Sequence, residues 1–222
     1  MAQFVAGAAP DPGPDDALLR DAIASGDPSR AMPALAGLRE VPEDRAIPLL
    51  LLGLEQEAFL VRSLACAGLG VKRNESGWLA LERILQHDHD PNVRAEAANS
   101  LASYGVERCW PLLRAAFAAD RQWLVRCSIL AALAEDPTMQ PAWLLDLAEL
   151  ALADRDGTVR VGGAELLGRL LGLPPGPPSA AAVADLARER LRSLTKDPDH
   201  LVVAAALNGL HGQRGGPAPS ED

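Results

Sequence analysis

The chain has 222 residues, of which 40 are Ala and 37 are Leu, while Phe, Tyr and Trp together make 4%. Strong helix formers in such excess over β-formers exclude a β-sandwich or barrel and predict an all-α protein. Thirty acidic residues against 21 basic ones leave a formal charge of −9, a field that repels phosphate backbones and anionic lipid, so nucleic acid is not an expected partner.

Charged residues at 23% and hydrophobic ones at 48% match an ordinary soluble domain. No run approaches the ~20 apolar residues that a membrane helix needs, and the stretch MAQFVAGAAPDPGP lacks the basic region of a signal peptide. Membrane insertion is therefore not expected. Cys66, Cys109 and Cys127 form no CxxC pair and are odd in number, which predicts buried thiols in a reducing, cytoplasmic setting.

Residues 1–14 are rich in Pro, Gly, Ala and acid and are expected to be disordered. A degenerate helical hairpin follows, Asp15–Ser25 with Pro28–Glu40. From there a pattern repeats about every 32 residues, and such a period must be found before any other reading of an Ala/Leu-rich chain. FLVRSLACAGLG starts at Phe59, PNVRAEAANSLASYG at Pro91, WLVRCSILAALAE at Trp123 and GTVRVGGAELLGRL at Gly157. A fifth copy, HLVVAAALNGL, has Val202 in register but Val203 where the others have arginine.

Counting from the valine of each copy, positions four, five and eight later are apolar in all five, as in Ala97, Ala98 and Leu101. That spacing is the buried stripe of a helix. Each such trailing helix is preceded by an amphipathic leading helix, predicted over Arg45–Gln56, Gly77–His87, Glu107–Ala119, Gln140–Ala153 and Ala180–Leu194, with turn residues between. Six hairpins of about 33 residues then give an α-solenoid. The stretch Leu-Pro-Pro-Gly-Pro-Pro at 173–178 should not be helical. The expected organisation is hairpins one to five over 15–172, a Pro-rich connector at 173–179, a terminal hairpin at 180–211 and a disordered tail at 212–222.

The arrangement D-x-x-x-x-V-R-x-x-A-x-x-L, as in Asp88, Val93, Arg94, Ala97 and Leu101, resembles the HEAT-repeat family, and the short unit is similar to the bacterial phycocyanobilin lyase HEAT-like group. The resemblance implies a right-handed α-solenoid with its trailing helices on the concave side. It also implies a phycobiliprotein as a possible kind of protein partner and, alternatively, a bilin lyase subunit that handles a linear tetrapyrrole transiently. Otherwise no cofactor is expected. The related di-iron hydroxylases use His-Glu dipeptides, and this sequence has none.

Arg62, Arg94, Arg126 and Arg160 recur with the aspartates Asp88, Asp120 and Asp154. The arginines could face a groove and take a partner's carboxylates or a bilin's propionates. The favoured reading is an internal ladder, because the aspartates recur in the same register, and the absence of arginine at Val203 beside Asp197 would mark its end. His87-Asp88-His89-Asp90 carries metal-ligand residue types, but the repeat already explains both aspartates, so no metal is expected. Cys127 follows Arg126 and is the most plausible thiolate, yet no histidine falls beside it in register, so no catalytic residue is assigned.

Trp78, Trp110 and Trp143 recur at the leading helices and should pack there. Trp123 breaks the pattern at a trailing-helix start and is the first candidate for a partner anchor, with Arg126 beside it. Small residues flank the trailing-helix stripe and would leave that face shallow enough to admit a partner helix. Asn99, Glu165 and Asn208, each six residues after the valine, are the polar positions expected to touch it. The expected function is a non-catalytic scaffold for another protein.

Overall fold

A computed structural model describes residues 14–174 and 178–212. Among these residues there are twelve α-helices and no strand. They form six antiparallel hairpins: α1 (Pro14–Ile23) with α2 (Pro28–Gly37), α3 (Glu43–Leu54) with α4 (Phe59–Lys72), α5 (Glu75–His87) with α6 (Pro91–Ala102), α7 (Val106–Ala119) with α8 (Trp123–Ala134), α9 (Pro141–Leu152) with α10 (Gly157–Gly172), and α11 (Pro178–Leu194) with α12 (His200–His211). The molecule is an α-solenoid. A 3-10 turn at Leu38–Glu40 extends α2.

The terminal segments expected to be disordered fall, apart from Pro14 and Gly212, outside the described residues, as does 175–177 of the connector. The described edges of that connector differ from expectation at one side: α11 starts at Pro178, since proline lacks an N–H that the first helical turn would leave unbonded anyway.

The helices form because each carries one apolar stripe and a start signal. Asp27, Asp90, Asp156 and Asp199 cap α2, α6, α10 and α12 by accepting from the backbone N–H two residues on. Asn74 caps α5 through the N–H of Gly77. Two trailing helices, α4 and α8, have no side-chain cap. The stripes predicted from the valine register are buried: Val61, Ala65, Cys66 and Leu69 of α4 share one core with Leu81 and Leu85 of α5, and the buried stripe recurs to Val159, Ala164 and Leu167 of α10. No hairpin could bury both its faces alone, so stacking completes one continuous core.

Successive trailing helices pack against one another along the whole array, α2 on α4, α4 on α6, and so on to α12, whereas leading helices meet more loosely. Closer spacing on one side bends the array toward it, which puts the trailing helices on the concave face. Small residues permit that spacing. A Cβ added at Gly70 would sit 2.9 Å from Ser100 Cβ, and one at Gly168 would sit 2.9 Å from Gly209 Cα, where two helix backbones touch. Gly168→Val should therefore loosen α12 from α10 and speed amide exchange in α12 with little effect on α4 to α8, a local change that hydrogen exchange reads directly.

Candidate functional site

The arginine that follows the repeat valine reaches back over the turn within its own hairpin. Arg62 donates through Nε and Nη2 to Asp88 at 2.8 and 3.0 Å, and through Nη1 to the carbonyls of Gln56 and Glu57. Arg94 repeats this with Asp120 at 2.7 and 3.1 Å, and with the carbonyls of Asp88 and His89. Arg126 pairs with Asp154 at 2.6 Å and donates to the carbonyl of Asp120. Each rung thus ties the turn of its own hairpin to the aspartate of the next one. Bidentate guanidinium geometry makes these strong pairs.

The fourth rung departs from the expected register. Arg160 reaches Asp199 at 3.1 Å, not Asp197. Asp197 instead accepts from the N–H of Asp199, and Asp199 caps α12 while also holding the arginine. Burial falls at this last rung: the side chains of Arg62 and Asp88 are 6% and 5% exposed, those of Arg160 and Asp199 both 23%.

Burial alone would raise the carboxyls of Asp88 and Asp120, but hydrogen bonds from Arg62 and Arg94, with backbone N–H donors and the arginine charges, outweigh it and hold both below the usual carboxylate range. A carboxyl depressed in the folded state contributes stability that is present above its unfolded value, near 3.8, and is lost as pH falls through the folded value. Melting temperature should accordingly hold from pH 7 to about 5 and fall steeply below 4. In an Asp88→Asn/Asp120→Asn variant this acid slope should be shallower, and an identical slope would show that the two carboxylates do not carry it.

The ladder corrects one sequence expectation. Arg126 is 6% exposed and engaged with Asp154, so it is not available to a partner; its burial follows from the turn that folds over it. Trp123 is 47% exposed in the first turn of α8. Asn99 is exposed and accepts from the Ser128 hydroxyl at 2.9 Å, joining α6 to α8, while Asn208 is exposed on α12. Glu165 lines an open groove of about 590 Å³ between α8 and α10, whose walls include Cys127, Leu130, Ala131, Val161, Gly162 and Leu166. Trp123 is not among the residues that line it. Sequence reasoning missed Glu135 and Arg169 on the groove's rim; both stand ten residues after a repeat valine, beyond the apolar stripe used to find the helix.

The remaining candidates have structural surroundings. Asp88 of the His-Asp-His-Asp stretch is held by Arg62, Asp90 caps α6, and His89 is 83% exposed; among the described residues no group of three His, Cys, Asp or Glu could hold a metal ion. Burial pushes the thiols of Cys66, Cys109 and Cys127 up, that of Cys109 to about 12. All three cysteines are free. Reductant should leave the melting temperature unchanged, and iodoacetamide should modify the half-buried Cys127 before the buried pair; a drop of several degrees on reduction would contradict this. Trp110 stacks on Trp143 with ring centres 5.4 Å apart, joining α7 to α9. Trp78 instead meets Tyr104 edge-on and lies under the Arg108 guanidinium.

The fold and ladder define an α-solenoid of stacked helical hairpins. Residues 47–134 match the family model for HEAT repeats. An engineered protein of solved structure is 19% identical, with 92% of this chain and 100% of that one covered and a TM-score of 0.52. Human deoxyhypusine hydroxylase in complex with glycerol is 14% identical over 89% of this chain and 96% of its own, with a TM-score of 0.46. The complex of CpcE and CpcF of phycocyanin lyase from Nostoc sp. PCC7120 is 18% identical over 87% and 96%, with a TM-score of 0.38. No curated protein matches the chain. Among the described residues no helix is long and apolar enough to cross a membrane.

Proposed function

We propose that this chain is a non-catalytic scaffold that holds another protein against its concave face. The observation that carries this reading is the α8–α10 groove, an open channel with an apolar floor and with Glu135, Glu165 and Arg169 exposed at its edge. Concave sites with apolar linings and a few polar groups are where proteins bind their partners' side chains. The ladder arginines serve the stacking of hairpins, since their donors are taken up by aspartates and carbonyls. Asn99, Glu165 and Asn208 lie along the concave face and contact the partner, with Trp123 as an aromatic anchor at the turn edge. Free thiols fit a cytoplasmic setting, and a phycobiliprotein is the partner class that the sequence resemblance supplies.

The test is capture. Immobilised wild-type chain should retain a protein from native lysate, or purified apo-phycobiliprotein, and Ala131→Arg should release it without lowering the melting temperature, because Ala131 is an exposed wall residue of the groove. Capture unaffected by Ala131→Arg would place the partner elsewhere. Pigment attached covalently to apo-phycobiliprotein in a manner dependent on this chain, read as fluorescence on a denaturing gel, would overturn the non-catalytic reading.

A further inference from the structure

On the leading helices, arginines are matched to carboxylates across hairpins: Arg83 with Glu55, Arg108 with Glu75, Arg190 with Glu149. The ladder arginines are matched as well. At the α8–α10 groove, Glu135 and Glu165 have no ion-pair partner among the described residues, and Glu96 lies on the same face of the preceding repeat, three residues after its valine. Burial holds the Glu96 carboxyl above its usual range, opposed only by a hydrogen bond with Asn99. Arg169 is the one cation on the rim of the α8–α10 groove, at the last turn of α10.

The groove's shape also selects an occupant. Both walls are helices whose backbone groups are bonded within the helix, so an added β-strand would find no ladder of donors and acceptors there. The floor is short-chained, with Ala131, Ala134 and Gly162 between Leu130 and Leu166, and its lining runs from Cys127 to Glu135 and from Thr158 to Arg169, about 12 to 17 Å at 1.5 Å per residue. That length accommodates about two to three turns of a partner helix whose apolar residues recur at i, i+3, i+4 and i+7. Negative charge left without a partner beside an apolar floor favours lysine or arginine on the flanks of that helix.

We propose that the α8–α10 groove takes an amphipathic helix of a partner protein, with a small-residue-tolerant apolar stripe and basic flanks. This rests on the concave-face reading above and names the chemistry of the partner segment. Glu135 and Arg169 stand at the same end of the groove, with Glu165 one turn before, so the basic residues of the partner helix meet the two carboxylates at that end, where Arg169 takes at most one acidic residue of the partner.

Two labelled peptides of the same apolar pattern, one with lysine and one with glutamate at every polar position, supply the test with the full chain. Binding is read by fluorescence anisotropy, and its location by protection of Cys127, the half-buried thiol on the groove wall, from iodoacetamide. The lysine peptide should bind, slow Cys127 alkylation and lose affinity as salt rises. Its affinity should fall about fivefold in Glu135→Gln/Glu165→Gln and be unchanged in Glu107→Gln/Glu189→Gln, which removes the same charge from exposed positions on leading helices. Equal weakening by both double variants, or binding without protection of Cys127, would overturn the groove as the site. Protection of Cys127 by the glutamate peptide as strong as that by the lysine peptide would overturn the basic flank while leaving the scaffold reading intact. Protection by neither peptide would overturn a helical occupant, and the scaffold reading is then decided separately by capture with Ala131→Arg.

Discussion

Arg62→Ala is expected to lower stability by about 3–5 kcal/mol, the largest single effect in the ladder, because it leaves the buried Asp88 carboxylate without a counter-charge, with the Asp90 N–H as its remaining backbone donor, and two turn carbonyls without the guanidinium. The cost arises from stranding a buried charge, so it should shrink where the rung is open to water. Arg160→Ala, at a rung whose members are both 23% exposed, should cost about 1 kcal/mol. Removing both partners together, as in Arg62→Met/Asp88→Leu, should restore much of the loss, since no buried charge then remains. Urea unfolding of the three variants measures this. Equal losses for Arg62→Ala and Arg160→Ala would show that burial does not govern the rungs.

The second large effect belongs to Gly163. A Cβ there would lie 2.9 Å from Ala151 Cβ and, more seriously, 3.0 Å from the carbonyl oxygen of Ala148 and 3.1 Å from the backbone nitrogen of Leu152. Backbone cannot swing aside as a side chain can. Gly163→Leu must separate α9 from α10 and should cost about 3 kcal/mol, at the upper end of the usual overpacking penalty. Gly172, at the end of the same helix, has nothing within 4 Å of its added Cβ, so Gly172→Ala should be neutral or slightly stabilising. A Gly163→Leu variant as stable as Gly172→Ala would mean that the α9–α10 contact yields to the added side chain without penalty.

The hairpins were legible because the valine register and the apolar stripe are local properties of each helix. Helix bounds follow: the expected Gly77–His87 and Glu107–Ala119 are α5 at Glu75–His87 and α7 at Val106–Ala119. The direction of the ladder was not legible. An aspartate six residues before one arginine is also 26 residues after another, and only the stacking of hairpins decides that Arg62 takes Asp88. Asp199 was missed for a related reason: the step from Val159 to Val202 is 43 residues, and the changed geometry after α10 brings the capping aspartate to Arg160.

On the concave face, Asn99, Glu165 and Asn208 were legible as polar positions six residues after the valine, and all three are exposed. Arg126 was not separable from them, because a turn that buries an arginine leaves the same dipeptide in the sequence as a turn that presents one. Glu96 went unseen as well. Its environment is set by the neighbouring trailing helices, and nothing in its own heptad distinguishes a half-buried carboxyl from a solvated one.

The most direct measurement of partner binding on the concave face is site-specific photo-crosslinking in native lysate, with a benzophenone side chain placed at Ala131 on the groove wall or at Leu79, which is 58% exposed on the leading helix α5. A concave-face scaffold yields one protein adduct from position 131 and none from position 79. The same adduct from position 79, with none from 131, would contradict it.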